Sequence, residues 1–262
     1  MNVRQGQDAD MEWDQTVQMI EATVQVENTR PGGDRRISAG LLVSAPYWDG
    51  TPRTVLVTAA HAIDPSETPE IRIGWRFATE DGGWSFAPQP APLEIGGRDL
   101  WARHPERDIA VVEIVAPPGI VARAIPLSWL ADERDLEAQG VGPGVQVFTL
   151  GYPRGLSSNR AGFPILRTVR IASYPLSPIR AFPTFLIDGF LYPGNSGGPV
   201  FLAHGADGHP LVLGVVTQQV DQGEEPLGLG VVVHATYVRE ALAALDERAV
   251  EDTRPRRRRR AG

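Results

Sequence analysis

Three polar residues in this sequence sit in contexts that suit acyl-transfer chemistry. Ser196 lies in Gly194-Asn195-Ser196-Gly197-Gly198-Pro199, where glycines permit a tight turn that points the hydroxyl outward and aims successive N–H groups at one spot. His61 ends Thr58-Ala59-Ala60-His61, directly after the β-rich run Val55-Leu56-Val57, so a strand end would present its imidazole. Asp108 opens Asp108-Ile109-Ala110-Val111-Val112, an acid entering a buried strand. Acyl transfer needs a nucleophile, a base, a group that orients the base, and donors for the developing oxyanion. Each motif taken singly has a plainer reading: a turn, a structural histidine, a turn cap. Together they run in the order His, Asp, Ser, 47 and 88 residues apart, one of the chain orders that this chemistry uses.

The segments that must carry them read as all-β. Short β-rich runs alternate with Gly, Pro and Asp turns: Ala39–Val43, Thr54–Thr58, Ile71–Phe77 and Ile109–Val115. A second set follows at Val145–Leu150, Ile165–Ala172, Thr184–Asp188, Gly198–Leu202, Leu211–Gln218 and Leu227–Val233. That texture predicts a sandwich or barrel. Pro117-Pro118-Gly119 ends the first set, and Ser128–Gly140 reads as a polar connection with one helical turn. The predicted organisation is an acidic extension over 1–14, a first lobe over 15–118, a linker over 119–140, a second lobe over 141–235, a helix over 236–249 and an arginine-rich disordered tail over 250–262. Thr236 caps that helix, and Val238, Leu242 and Leu245 recur at helical spacing. Residues 15–27 fit either a helical turn or a strand.

Composition excludes several alternatives. There is no cysteine in 262 residues, which removes disulfides, thiolate metal sites and a cysteine nucleophile. His104, His204, His209 and His234 show no metal-ligand spacing, the glycine-rich stretches lack the Lys-Ser/Thr of a phosphate loop, and no cofactor or metal is expected. Glu80-Asp81 and Glu224-Glu225 lie in glycine-rich polar stretches and read as solvated loops. The N-terminus lacks a basic segment followed by an apolar run, and no apolar stretch approaches ~20 residues, so a cytoplasmic protein with no membrane span is expected. All 25 basic residues counted as Lys or Arg are arginine, and setting aside Arg254 and Arg256–Arg260 takes the net charge from -7 to -13 for the rest. Such a body repels nucleic acid. The tail can bind an acidic partner, but it has no interleaved aromatics and a nucleic-acid role is not expected.

The three motifs resemble those of the trypsin-like (chymotrypsin-fold) serine peptidases, more closely the bacterial HtrA-type branch than the secreted animal members. Thr58–His61 and Asp108–Val112 match the histidine and aspartate motifs, Asp188–Pro199 with Pro193 and Asn195 matches the nucleophile segment, and Gly151-Tyr152-Pro153 and Gly214-Val215-Val216-Thr217 also fit. The similarity extends over about 17–245. It implies two antiparallel six-stranded barrels with a C-terminal helix, and a cleft where His61 is the base, Asp108 orients it, Ser196 attacks, and the Gly194 and Ser196 amides form the oxyanion hole. Asn195 stands where animal members carry an aspartate that receives a newly cut N-terminus, so that zymogen switch is not expected, and too few residues follow Leu245 for a PDZ domain. Six before the serine, at the family's primary-pocket floor, is Phe190; the wall positions are Thr217 and Gln219. These imply an apolar or small residue before the scissile bond. The expected activity is serine endopeptidase hydrolysis of a polypeptide substrate through an acyl-enzyme, with an activating protein partner as a further expectation. The alternative is a non-catalytic peptide-binding module on the same fold.

Overall fold

A computed structural model of the chain describes residues 15–29, 32–63, 69–118, 120, 122–205, 207–223 and 225–253. The acidic extension over 1–14 and the arginines beyond 253 lie outside the described residues. The ambiguous segment resolves into both of its readings. A helix, α1, covers 15–22 and runs straight into strand β1, Thr23–Thr29.

The first sheet also contains β2 (Arg35–Ser44), β3 (Thr54–Thr58), β4 (Glu70–Ala78), β5 (Trp84–Pro92), β8 (Trp101–Arg103) and β9 (Ala110–Ile114), in the order β5-β4-β1-β2-β3-β9-β8, with β10 (Ile125–Pro126) alongside β2. Two short strands, β6 (Glu94–Ile95) and β7 (Arg98–Asp99), pair with each other. After a capped helix α2 (Glu133–Ala138), the strands β11 (Gln146–Gly151), β12 (Ile165–Ile171), β13 (Thr184–Asp188), β14 (Pro199–Leu202), β15 (Leu211–Gln222) and β16 (Glu225–His234) close into a barrel, β11-β12-β13-β16-β15-β14. Helix α3, Thr236–Thr253, ends the described chain.

Two closed barrels were implied by the family resemblance; among the described residues the pairing closes one. β5 supplies a physical reason. Pro88, Pro90 and Pro92 face Gly74, Arg72 and Glu70 of β4, and proline has no N–H to offer. Spaced two apart, all three lack the same outward-pointing donor, so β5 pairs inward with β4 and is blunted as an edge.

The first sheet is buried on both faces. Leu41, Val43, Val55, Val57 and Val111 join one core cluster with the barrel interior and α3. Leu42, Leu56 and Val112, on the alternate face, pack with Val24, Val26, Ile71 and Ile73. α3 leaves the barrel and returns to the first sheet, burying Tyr237, Val238, Ala241, Leu242 and Leu245, one face of a helix. It is fastened there by Arg53, whose guanidinium meets Asp246 at 2.6 Å and donates to Ala45 O at 2.9 Å.

Arg76 joins α1 to the barrel. Only 1% exposed, it donates to Glu21 O (2.5 Å) and Thr23 O (3.0 Å) at the end of α1, and lies 3.4 Å from the Tyr152 hydroxyl. The negative end of the helix dipole suits a cation there. Burial pushes the Tyr152 phenol up to about 12 despite the neighbouring guanidinium, so it stays a neutral hydroxyl.

His234, at the end of β16, is 1% exposed, and its ring lies tilted at 52° against Phe185 with centroids 4.9 Å apart. Burial pushes its pKa down to about 4; the Phe182 backbone, which pulls the other way, lies outside hydrogen-bonding geometry. The unfolded chain therefore takes up a proton near pH 6.5 that the folded protein refuses until about pH 4. The stability this neutrality provides is complete above about pH 6.5 and is lost as the pH falls, about 3 kcal/mol in all. Between pH 7.5 and 4.5 the unfolding free energy measured in urea should fall by about 2.5 kcal/mol less in His234→Phe than in wild type; an unchanged difference would exclude His234 as the source.

Candidate active site

Register alone brings His61 and Asp108 together. β3 and β9 pair antiparallel with Thr58 opposite Ala110, so the residue three after Thr58 and the residue two before Ala110 emerge at the same sheet end. His61 sits on the 3-10 turn Ala60–Ala62. Its ring Nδ1 lies 2.7 Å from Asp108 Oδ2, and its backbone N–H donates to Asp108 Oδ1 at 2.9 Å. Burial pushes the Asp108 carboxyl up, but the His61 ring hydrogen bond and charge and the His61 and Ala60 amides outweigh it and hold the pKa below the usual carboxylate value. An ionised carboxylate only accepts. Nδ1 therefore carries the ring proton, and Nε2 is left as the free base.

The loop before Asp108 is itself braced. His104 Nδ1 accepts from the Glu106 and Arg107 amides at 3.1 and 3.0 Å, which assigns the proton to Nε2, 3.0 Å from Glu240 Oε2 on α3. Arg180 meets the same carboxylate at 2.7 Å. Burial pushes Glu240 up, yet the bonds from His104 and Arg180 prevail and its pKa is lowered.

Ser196 reaches the same cleft from the barrel. Its carbonyl accepts from Ala39 N of β2 at 2.8 Å, while Ala39 O accepts the Thr58 hydroxyl at 2.7 Å. Ala39 thus holds the serine turn with one end of its peptide and the histidine strand with the other. Gly197 makes the approach possible: a Cβ there would stand 2.0 Å from Ala39 O and 2.2 Å from Thr58 Oγ1. The Ser196 hydroxyl donates to Thr217 O at 3.3 Å, and among the described residues it has no hydrogen bond to His61.

The four residues Tyr192-Pro193-Gly194-Asn195 form a turn closed by Asn195 N to Tyr192 O at 2.9 Å. Proline at the second position and φ +101° at Gly194 make it type II. Pro193 O accepts from Arg154 N at 2.6 Å. In a trans peptide the N–H points opposite to the C=O, so Gly194 N–H turns the other way, toward the cleft. Gly194 O is also held, by Tyr152 N at 3.0 Å, and neither Gly194 N nor Ser196 N has a backbone acceptor among the described residues. Asn195, 1% exposed, fixes the turn from inside through Tyr192 N to Oδ1 at 3.0 Å.

A cleft of about 630 Å³ runs across these groups, lined by His61, Gly194, Ser196, Thr217 and Gln219 among others. Phe190 is not among them: it is 50% exposed and packs over Gly228, where a Cβ would meet its ring at 3.3 Å. The next residue, Leu191, lines the cleft instead, with Cδ1 2.2 Å from where a Gly230 Cβ would be. A count along the strand that slips by one residue changes which side chain faces inward. Sequence reading also passed over Arg154, whose only signal was its place after Gly151-Tyr152-Pro153.

The sequence signature of the trypsin-like peptidase domain covers residues 40–209, more than half of the chain. The chain belongs to that family. His61, Asp108 and Ser196 of this trypsin-like peptidase all fall within the matched span. Its fold is similar to that of the HtrA-type protease AlgW, in a variant solved with a tripeptide: TM-score 0.57, 17% identity, covering 90% of this chain and 64% of that one. This trypsin-like peptidase thus spans somewhat under two thirds of the AlgW chain's length. No curated protein sequence matches it significantly. Among the described residues no helix is long and apolar enough to cross a membrane.

Proposed function

We propose that the protein is a serine endopeptidase working through His61, Asp108 and Ser196. The observation that carries this reading is the convergence on one cleft of the doubly hydrogen-bonded Asp108–His61 pair, the Ser196 hydroxyl and the outward Gly194 N–H. His61 Nε2 takes the Ser196 proton as Oγ attacks the scissile carbonyl, and Asp108 holds the imidazole and stabilises its cationic form. The Gly194 and Ser196 amides receive the oxyanion. His61 then gives its proton to the departing amine, and water, activated by the same base, hydrolyses the ester. Leu191, which lines the cleft and packs against Gly230, suits a small or short aliphatic residue before the scissile bond. Thr217 and Gln219 form the neighbouring wall.

The bond from Ser196 Oγ to Thr217 O favours a second reading, a cleft that holds peptides uncut or cuts only once a protein partner reorders it. Against this, the type II turn already aims Gly194 N–H at the cleft. A docked peptide N–H competes for Thr217 O and so frees the hydroxyl to rotate to His61, and such bonds commonly tighten only with substrate present. With no cysteine in the chain, nothing calls for an oxidising compartment, and a cytoplasmic site of action is part of the proposal.

A fluorophosphonate probe tests the assignment. The expected result is a single adduct, mapped by mass spectrometry to the Ser196 peptide of the unassisted protein. Absence of labelling in the folded protein would favour the second reading, and labelling at another residue would overturn the assignment.

A further inference from the structure

The cleft is graded in charge. One side is built from the start of β2 and the turn after β11, and carries Arg35, Arg36 and Arg154; the other, along β15, carries Gln218, Gln219 and Asp221. The cationic side is assembled by packing, since Ile37 Cδ1 lies 2.9 Å from where a Gly155 Cβ would be. Arg35 is partly compensated by buried Glu27 at 3.6 Å. Arg36 and Arg154 have no carboxylate partner among the described residues. Arg154 lies over the Tyr192 ring at 5.1 Å, beside the turn that aims Gly194 N–H.

Arg154 carries a second, independent signal. It is the only non-glycine residue with positive φ among the described residues, at φ 54° and ψ 28°, a left-handed conformation that strains an ordinary L-residue. Its backbone N–H does need that turn, to reach Pro193 O. A glycine would supply the same N–H without strain, so the backbone accounts for the turn but not for the arginine. The contact with the Tyr192 ring offsets part of that strain and holds the guanidinium on the cleft wall.

The direction of a bound peptide follows from the strands. β14 pairs with β15 only as far as Val215, and Val216 N bonds Gly198 O, so among the described residues the edge from Thr217 onward is open beside Ser196. An extended acyl half docks there as an added strand, with its last side chain toward Leu191. The amine half must leave within reach of His61, which belongs to the first sheet, as β2 does. It therefore passes over Ser196 toward Arg36 and Arg154. We infer that this wall selects polypeptides with an acidic residue at the first or second position after the scissile bond; the inference rests on the peptidase reading above.

The test uses quenched fluorescent peptides with a small aliphatic residue before the cut, identical except for Asp, Ala or Arg at the two positions after it. Wild type should cleave the Asp peptide with a kcat/KM about five- to tenfold above the Ala peptide, and the Arg peptide more slowly still. The spread should shrink in 0.5 M salt as screening grows. Arg36→Glu/Arg154→Glu should invert the order, and because the readout is a ratio between peptides, any loss common to all of them cancels. Ratios within twofold of unity in wild type, or unmoved in the double variant, would overturn the inference. If no peptide is cut, Kd values of the three for Ser196→Ala decide separately: tighter binding of the Asp peptide keeps the charge reading while the peptidase reading fails. Equal binding, or none, rejects the charge reading as well.

Discussion

Replacing Asp108 with asparagine is expected to lower kcat by roughly four orders of magnitude while leaving the fold and KM nearly unchanged. The expectation follows from how both carboxylate oxygens are used. Oδ1 accepts the His61 backbone N–H at 2.9 Å, and Oδ2 faces ring Nδ1 at 2.7 Å. Asparagine has one oxygen and one NH2, and the backbone N–H can be satisfied only by the oxygen. The NH2 must then face Nδ1, which is forced to accept. The ring proton moves to Nε2, and the nitrogen facing Ser196 can no longer take a proton. The imidazolium also loses its counter-charge. Steady-state kinetics on a cleavable peptide, with circular dichroism to confirm the fold, provide the check. Activity within tenfold of wild type would show that Asp108 does not orient the base.

Gly194→Ala is expected to cost about 10²–10³ in kcat. At φ +101° an added Cβ would stand 2.0 Å from Tyr152 O, a backbone atom that cannot swing aside. The strain is relieved by turning the Pro193–Gly194 peptide over, which breaks the 2.6 Å bond from Arg154 N and points the Gly194 N–H away from the cleft. Ser196 N would remain as the only amide of the pair aimed at the oxyanion. Fluorophosphonate labelling should slow along with turnover. Misfolding would also remove activity, so binding of an uncut peptide is measured in parallel. Retained binding with lost turnover identifies the flipped turn, whereas lost binding would mean that the substitution acts on the fold rather than on the oxyanion donors.

What could be read from sequence divides along physical lines. Strands with alternating or continuous β-branched character, such as Thr54–Thr58 and Thr184–Asp188, announce themselves because their burial is local information. That His61 and Asp108 each flank a strand was legible for the same reason, whereas the antiparallel pairing that sets the distance between them is long-range and was suggested only by motif order and the family resemblance. β5 was not legible. Its three prolines look like breakers, and only the position of the strand at a sheet edge makes them tolerable. Whether a sheet closes is likewise decided by its two end strands, which no local window contains. Phe190 and Leu191 are neighbours in sequence, and the choice between them depends on a register set by Gly230 across the barrel. Arg154 gave no usable signal, because neither its backbone conformation nor the residues it joins are encoded near it.

The brace on the Asp108 loop has a consequence in the order of synthesis. His104 finds its partner Glu240 on α3, which follows every other element of the site in the chain. A nascent polypeptide that has released β16 already contains His61, Asp108 and Ser196, but His104 has no carboxylate to grip and Arg53 has no Asp246. The helix that fastens the loop before Asp108 is thus translated after Ser196, so the His61–Asp108 end of the cleft gains its brace only once every strand of the fold has been made.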